Sequence, residues 1–124
     1  MKTILILIVL GFMAANALEW QSYESALNAA KKSGKIIMID AVRTGCHYCE
    51  EMERAVFDDR NVSAWIEARF VPVKINISNE KMPLEINVSM TPTFYFINAD
   101  EKIIKKIPGA WDWIDFHSML KRIK

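Results

Sequence analysis

The chain has 124 residues, of which 52% are hydrophobic and 25% charged, and this balance is typical of one globular domain with a sizeable core. The formal net charge is +1, and no basic cluster stands out, so we expect no nucleic-acid partner. The chain contains two cysteines, too few for a small domain stabilised by several disulfides.

Residues 1–17 have the pattern of a secretory leader. A single Lys2 precedes a short apolar run from Ile4 to Met13, and an Ala-Asn-Ala triplet ends at Ala17. The run is too short to span a bilayer, which takes about 20 apolar residues. We therefore predict a signal peptide over residues 1–17, cleaved near Ala17, a mature domain over residues 18–124 and an exported, periplasmic location. The alternative is a leader that is retained as an anchor.

The rest of the chain alternates between helical and extended patterns. Tyr23, Ala26, Leu27 and Ala30 recur at helical spacing, and residues 35–41 form a near-continuous apolar run typical of a buried strand. The predicted elements, in chain order, are a helix over 22–35, a strand over 35–41, helices over 46–57 and 61–70, strands over 70–77, 91–98 and 102–109, and a helix over 111–124. This order predicts an α/β fold with a central mixed sheet of about four strands and helices on both faces.

Cys46 and Cys49 are separated by two residues, after the first predicted strand and at the start of a predicted helix. A c-type haem would need a histidine after the second cysteine, where the chain has Glu50. A structural zinc site needs four ligands, and only His47 and His117 could join the two sulfurs. A disulfide would close a very small loop and contribute little stability. A redox-active pair is therefore favoured, and an inert bridge is the alternative.

A helix that starts at Cys46 has a chemical consequence. Backbone N–H groups and the dipole at a helix N-terminus stabilise a thiolate, so Cys46 is expected to be the nucleophile. Cys49 lies one turn into the helix, where it can close a disulfide and resolve a mixed disulfide. We expect Cys46 to be exposed and Cys49 to be shielded.

Four segments extend the pattern beyond a lone Cys-x-x-Cys, and in chain order they are IIMIDAVRTGCHYCEEM, FVPVKINI, MTPTFYF and IPGA. Together they resemble the thioredoxin superfamily, and within it the exported thioredoxin-like proteins. The resemblance extends over about all of residues 18–124 and implies the thioredoxin fold and thiol–disulfide exchange. The opening segment, EWQSYESALNAAKKSGK, resembles the subgroup that begins with a helix and can lack the first thioredoxin strand.

The resemblance implies roles for four residues around the disulfide. Cys46 and Cys49 match the attacking and resolving cysteines. Asp40 matches the buried acid at the end of the central strand, which assists deprotonation of the second cysteine, and Lys74 matches the lysine that often pairs with this acid. From residue type alone, Asp40 could instead cap the next loop, and Lys74 could be a solvated strand residue.

Two further segments match the substrate-docking groove of the family. Thr91-Pro92 matches the pair with a cis proline, whose preceding residue offers backbone hydrogen bonds to a substrate chain. Gly109 matches the glycine that lines the groove beside this pair. The resemblance therefore implies that Thr91, Pro92 and Gly109 bind substrate.

The residues beside the cysteines differ from those of thioredoxin. Gly45 stands where thioredoxin has tryptophan, His47-Tyr48 where it has Gly-Pro, and Glu50 where it has lysine, so recognition by cytosolic thioredoxin reductase is not implied. A neighbouring protonated histidine favours a thiolate, so His47, together with Tyr48, is expected to tune the pKa of Cys46. The alternative is that both are ordinary exposed loop residues.

These observations predict an exported thiol–disulfide oxidoreductase that needs no metal and no organic cofactor. The expected partners are protein clients with thiols or disulfides and a membrane or periplasmic redox donor or acceptor, and we expect a monomer. The sequence leaves open whether clients are oxidised, reduced or isomerised. The alternative is a non-catalytic binding or chaperone-like module with a structural disulfide.

Two segments outside this site share another pattern. DRNVS around Asn61 and EINVS around Asn87 both resemble the extended acidic sequon of some bacterial glycosylation systems. From the sequence alone, two chance matches are the favoured interpretation.

Overall fold

The computed structural model describes residues 17–124 of the chain. The predicted signal peptide lies, except for Ala17, outside the described residues, and its cleavage stays a prediction. Among residues 17–124, no helix has both the length and the apolar character that a membrane crossing requires.

Helices and strands follow one another in the predicted order. The strands are β1 (Ile36–Val42), β2 (Phe70–Asn76), β3 (Thr93–Ile97) and β4 (Ile103–Pro108). The helices are α1 (Tyr23–Ser33), α2 (His47–Met52), α3 (Arg60–Glu67) and α4 (Trp113–Leu120). A π-helical turn, Glu53–Phe57, continues α2, and a short 3-10 turn, Pro83–Glu85, lies between β2 and β3.

Local side chains determine where the helices begin and end. Ser22, Asp59 and Asp112 precede α1, α3 and α4, and each side chain accepts a backbone N–H from the first turn. Gly34 ends α1 in the left-handed conformation, with φ of +74°, which glycine adopts without a steric penalty. The cap at Asp112 explains why the last helix begins at Trp113, two residues later than the sequence predicts.

The four strands form one mixed sheet in the order β2-β1-β3-β4. β1 is parallel to β2 and antiparallel to β3, and β3 is antiparallel to β4. The predicted α/β fold with a central mixed sheet is therefore confirmed. Pro72 lies in β2, which is an edge strand, as a proline within a strand requires.

Each face of the sheet has its own hydrophobic core, because side chains alternate between the two faces of a strand. One core contains Ile37 and Ile39 of β1 together with apolar residues of α1. The other contains Met38 of β1 together with apolar residues of α2, the π turn, α3 and α4. Asp40 follows Met38 by two residues and therefore points to this second face. Within residues 17–124, Asp40 is the only charged side chain among the buried residues.

The helix predicted over residues 46–57 is not regular throughout. After α2 the chain widens into the π turn, in which the Asp58 N–H donates to the Glu53 carbonyl at 2.9 Å. Val56 and Phe57 are consecutive and both fully buried, an arrangement that the extra residue of the wide turn accommodates. The prediction of a single α-helix is therefore wrong for residues 53–57.

Candidate active site

Cys46 and Cys49 form a disulfide at the N-terminus of α2. Gly45, with φ of +73°, makes the turn that leads into this helix, a conformation that favours glycine. Cys46 is the N-cap residue, and its Sγ accepts the backbone N–H of Cys49 at 3.2 Å. The Cys46 sulfur therefore lies against a backbone donor of the first helical turn.

The loop before β3 packs against the same sulfur. The Thr91 hydroxyl donates to Cys46 Sγ at 3.4 Å, and the Thr91 carbonyl oxygen lies 3.6 Å from it. The Thr91–Pro92 peptide bond is cis, the isomer that the resemblance implied. The Gly109 N–H donates to the Pro92 carbonyl at 2.8 Å. The structure thus brings Thr91, Pro92 and Gly109 together beside Cys46.

The exposure of the two cysteines is the reverse of the expectation. Cys46 is buried, with 9% of its surface exposed, whereas Cys49 is half-buried. The contact with Thr91 accounts for the burial of Cys46, and Cys49 lines an open groove on another side of α2. The expectation that Cys46 is the exposed sulfur is wrong for the disulfide form. Its assignment as the nucleophile rests instead on its contact with the Cys49 N–H.

The groove beside Cys49 has a volume of about 290 Å³. Residues from the end of β1, α2, the π turn and β2 line it: Val42, Arg43, Cys49, Glu50, Glu53, Arg54 and Lys74. Lys74 Nζ donates to Glu53 Oε2 and lies over the Trp20 ring, 4.5 Å from the ring centroid. The resemblance implied that Lys74 pairs with Asp40, and in the structure it forms its ion pair with Glu53 instead.

Asp40 lies beside Lys74 in the register of β1 and β2, with 3% of its surface exposed. No group within residues 17–124 hydrogen-bonds to Asp40 Oδ1. Burial raises the pKa of Asp40 to about 7, Lys74 partly lowers this pKa, and Glu53 adds to the rise. Asp40 is therefore a buried acid that can hold or release a proton near neutral pH, and it is not a cap of the next loop.

Glu53 and Trp20 are residues of this site that the sequence analysis did not single out. Glu53 follows Cys49 by four residues, a spacing that places two side chains on one side of a helix, so a signal was present. Trp20 precedes α1 and packs edge to face against Phe57, with ring centroids 5.3 Å apart. No feature of the sequence links Trp20 to Lys74, because their contact depends on how the N-terminal segment runs along β2.

Glu53→Gln is expected to lower the pKa of Asp40. The substitution removes a negative charge that raises this pKa, and it frees the Lys74 ammonium to interact with the buried carboxyl. We expect a decrease of about half a unit or more, because the two interactions change in the same direction. Carboxyl NMR titration of the oxidised protein measures this pKa without interference from the cysteines, which do not titrate in a disulfide.

Glu51→Gln is the matched control for that experiment. Glu51 is also an acid of α2, but its side chain is 58% exposed and pairs with His47. The Asp40 titration is expected to be the same in this variant as in the wild type. A midpoint that is unchanged in Glu53→Gln as well would contradict the role given to Glu53.

His47 and Tyr48 lie on the exposed side of α2. His47 Nε2 is 3.7 Å from Glu51 Oε2, and the His47 side chain is 76% exposed. Tyr48 is 63% exposed, and together with Trp111 it lines a second groove of about 290 Å³. Glu51 therefore competes with Cys46 for any positive charge on His47, and the predicted tuning role of His47 and Tyr48 stays a prediction.

His117 lies away from the cysteines, in α4. Its ring centroid is 4.6 Å from that of Trp65 and 5.0 Å from that of Trp113. His117 is therefore part of an aromatic cluster between α3 and α4. In the part of the chain that the structure describes, no group of three or more His, Cys, Asp or Glu side chains is arranged to hold a metal ion.

The chain is similar in sequence and in structure to known proteins. The family model of the thioredoxin-like domain matches residues 23–124. Thioredoxin H4 of Arabidopsis thaliana is 33% identical over 84 residues, which make up 68% of this chain and 68% of that protein. A thioredoxin from Thermus thermophilus is 28% identical, and its solution structure superposes with a TM-score of 0.71 over 86% of each chain.

A more distant structure has the same fold. The C-terminal domain of Neisseria meningitidis DsbD, in its oxidised form, is 17% identical and superposes with a TM-score of 0.62. The match covers 86% of this chain and 100% of that domain. The region matched by the family model includes every residue of the candidate site except Trp20, which precedes it.

Proposed function

Because the chain belongs to the thioredoxin-like family, we propose that it is an exported thiol–disulfide oxidoreductase whose Cys46–Cys49 pair exchanges with protein clients. The environment of the Cys46 sulfur carries this proposal. The Cys49 N–H donates to it at 3.2 Å, and the Thr91 hydroxyl donates to it at 3.4 Å. Hydrogen bonds to a charged group favour its charged form, so both donors favour a Cys46 thiolate in the reduced protein.

The exchange has two covalent steps. In the reducing direction, the Cys46 thiolate attacks one sulfur of a client disulfide, the client S–S bond breaks, and the other client sulfur leaves as a thiolate. Cys49 then loses its proton and attacks Cys46 Sγ, which forms the Cys46–Cys49 disulfide and releases the second client thiolate. The client gains two electrons and the protein loses two. In the oxidising direction the same steps run in reverse.

Asp40 is the proposed acceptor of the Cys49 proton, through water. An acid–base group works best when its pKa lies near the working pH, and the pKa of Asp40 is about 7. Lys74 and Glu53 influence this value by their charges, and Trp20 holds Lys74 from the other side. These three are positioning residues, because they act through Asp40 and not on the reacting sulfurs.

Client docking is proposed at the loop of Thr91 and Pro92, with Gly109 beside it. Three large apolar side chains are exposed near the disulfide, namely Tyr48 at 63%, Met90 at 47% and Trp111 at 39%. An exposed apolar surface favours protein partners with accessible apolar segments. The leader pattern of residues 1–17 supports a periplasmic location, where clients and a membrane or periplasmic redox partner would meet this chain.

Reduction of insulin by dithiothreitol tests the proposed activity. Insulin precipitates once its interchain disulfides are reduced, and we expect the protein to accelerate this precipitation when it is present in catalytic amounts. A binding or chaperone-like module with a structural disulfide would leave the rate at that of dithiothreitol alone. The equilibrium potential of Cys46–Cys49 against glutathione then determines the direction in which the protein acts on its clients.

His47→Ala is expected to raise the pKa of Cys46 in the reduced protein and to make the redox potential more negative. The loss of a nearby positive charge makes the thiolate less favourable. The effect on the rate of iodoacetamide alkylation below neutral pH should be about threefold or less, because an exposed charge is screened by solvent. The measurement is the alkylation rate of Cys46 as a function of pH.

Glu51→Gln provides the comparison for His47→Ala. It removes the anion that pairs with His47, so the alkylation rate of Cys46 should change in the opposite direction. If neither substitution changes the rate, His47 is an ordinary exposed residue and does not tune the disulfide.

A further inference from the structure

The two acidic sequons of the chain lie in very different surroundings. The first surrounds Asn61 at the start of α3. The second surrounds Asn87 in the segment between β2 and β3. An enzyme that transfers a glycan to asparagine must reach the amide, and it recognises the hydroxyl side chain two residues further on. Asn61 and Asn87 are both exposed, so the surroundings of the hydroxyl and of the acid separate the two candidates.

In the sequon at Asn61, the acid and the serine form hydrogen bonds within the fold. Asp59 Oδ1 caps α3 and accepts the N–H groups of Asn61 at 2.8 Å and Val62 at 3.0 Å. Ser63 is 2% exposed, and its hydroxyl donates to the Phe57 carbonyl at 2.8 Å. The Asp59 carboxylate and the Ser63 hydroxyl, which the enzyme would have to recognise, are therefore already hydrogen-bonded within the fold. The enzyme could bind them only if the first turn of α3 unfolded.

In the sequon at Asn87, the acid, the asparagine and the serine all lie on the surface. Residues 86–89 lie outside every helix and strand of the described chain. Ile86 and Val88 are half-buried and pack against the core on the α1 side of the sheet. Glu85, Asn87 and Ser89 alternate with them and are exposed. The amide of Asn87 and the hydroxyl of Ser89 thus lie on the side of the segment away from this core, as alternate residues of an extended chain do. Glu85, the last residue of the 3-10 turn, is exposed two residues before Asn87.

We propose that Asn87 is a site of N-glycosylation and that Asn61 is not. The co-substrate is a glycan carried on a lipid pyrophosphate, and an oligosaccharyltransferase outside the cytoplasm catalyses the transfer. The Asn87 Nδ2 attacks C1 of the first sugar, the C1–O bond to the pyrophosphate breaks, and the amide nitrogen loses one proton to the enzyme. The lipid pyrophosphate is the leaving group, and no electrons are transferred. The proposal requires export of the chain but not its redox activity.

Intact-mass measurement of exported protein tests the assignment. The full chain is produced in bacteria that contain an oligosaccharyltransferase for acidic sequons and its lipid-linked glycan. A parallel version carries an established secretion leader before Leu18, so that export does not limit the result. We expect one added glycan in the wild type and in Asn61→Gln, and none in Asn87→Gln. Glu85→Gln and Ser89→Ala are expected to lose most of the occupancy.

A second acceptor protein with the same sequon in a flexible tail shows that the cells are competent. An unmodified wild-type chain in cells that modify this acceptor would overturn the proposal, and so would a glycan on Asn61. Urea unfolding and the catalysed reduction of insulin are measured on the same samples, and the first measurement shows whether Asn87→Gln is folded. That second measurement also separates a failure of the glycosylation proposal from a failure of the proposed oxidoreductase function.

Discussion

Cys46→Ser is expected to abolish the catalysed reduction of insulin completely, leaving the rate of dithiothreitol alone. A serine hydroxyl is not ionised at neutral pH and cannot form a disulfide, so the first covalent step is lost. Cys49→Ser should behave differently, because it preserves the Cys46 sulfur and removes only the group that resolves the mixed disulfide. This variant should accumulate a covalent adduct with the client, visible by non-reducing electrophoresis and by mass spectrometry.

The same two variants also test the alternative, in which Cys49 attacks the client and Cys46 resolves the mixed disulfide. In the disulfide form Cys46 is buried against Thr91, whereas Cys49 lines an open groove. If Cys46→Ser accumulates the adduct and Cys49→Ser does not, then Cys49 is the attacking sulfur. The greater exposure of Cys49 would then determine which cysteine attacks. If Cys49→Ser traps the client, Cys46 is the attacking sulfur, and the hydrogen-bond donors at its Sγ determine this role.

Asp40→Asn is expected to stabilise the oxidised protein at neutral and alkaline pH. The pKa of Asp40 is about 7 in the folded protein and 3.8 as the ordinary value, so the folded state keeps a proton that the unfolded chain loses. Stability therefore falls as the pH rises from about 4 to about 7, and the full penalty is present above that range. A difference of about three pKa units corresponds to a penalty on the order of 4 kcal/mol.

Urea unfolding of both proteins at several pH values between 4 and 8 measures this effect. The stability of Asp40→Asn relative to the wild type should increase across the range, because asparagine carries no titratable proton. Asp100→Asn is a suitable control, since Asp100 is exposed in the turn between β3 and β4 and its substitution should give a nearly constant difference. A constant difference for Asp40→Asn would mean that its carboxyl does not titrate as described.

Much of the fold could be predicted because its strands are rich in apolar, β-branched and aromatic residues, whereas the turns beside them are polar. The apolar run predicted as a strand over residues 35–41 is β1, Ile36–Val42, with both ends shifted by one residue. The hairpin of β3 and β4 was equally clear, since two β-branched or aromatic segments flank a short polar turn. The π turn was not predictable in this way, because one extra residue leaves the helical composition unchanged while it alters the register.

The candidate site was predictable as a set of residues but not as a set of contacts. The resemblance to the thioredoxin superfamily placed Cys46 and Thr91 in one site, and the structure brings them together. The partner of Lys74 could not be derived, because Asp40 and Glu53 both lie within its range and the choice depends on burial. The ammonium group of Lys74, on its long flexible side chain, remains partly exposed when it pairs with Glu53, whereas pairing with Asp40 would require it to enter the core.

The π turn also constrains how the number of residues in this region can change. One residue rotates an α-helix by about 100°, so a deletion within Glu53–Phe57 that restored regular helix would rotate the start of α2 relative to the core. Cys46 would then move away from Thr91, while Val56 and Phe57 kept their places. Substitutions that preserve apolar character at those two positions leave this alignment intact. In this chain the segment therefore tolerates changes of residue type more readily than insertions or deletions.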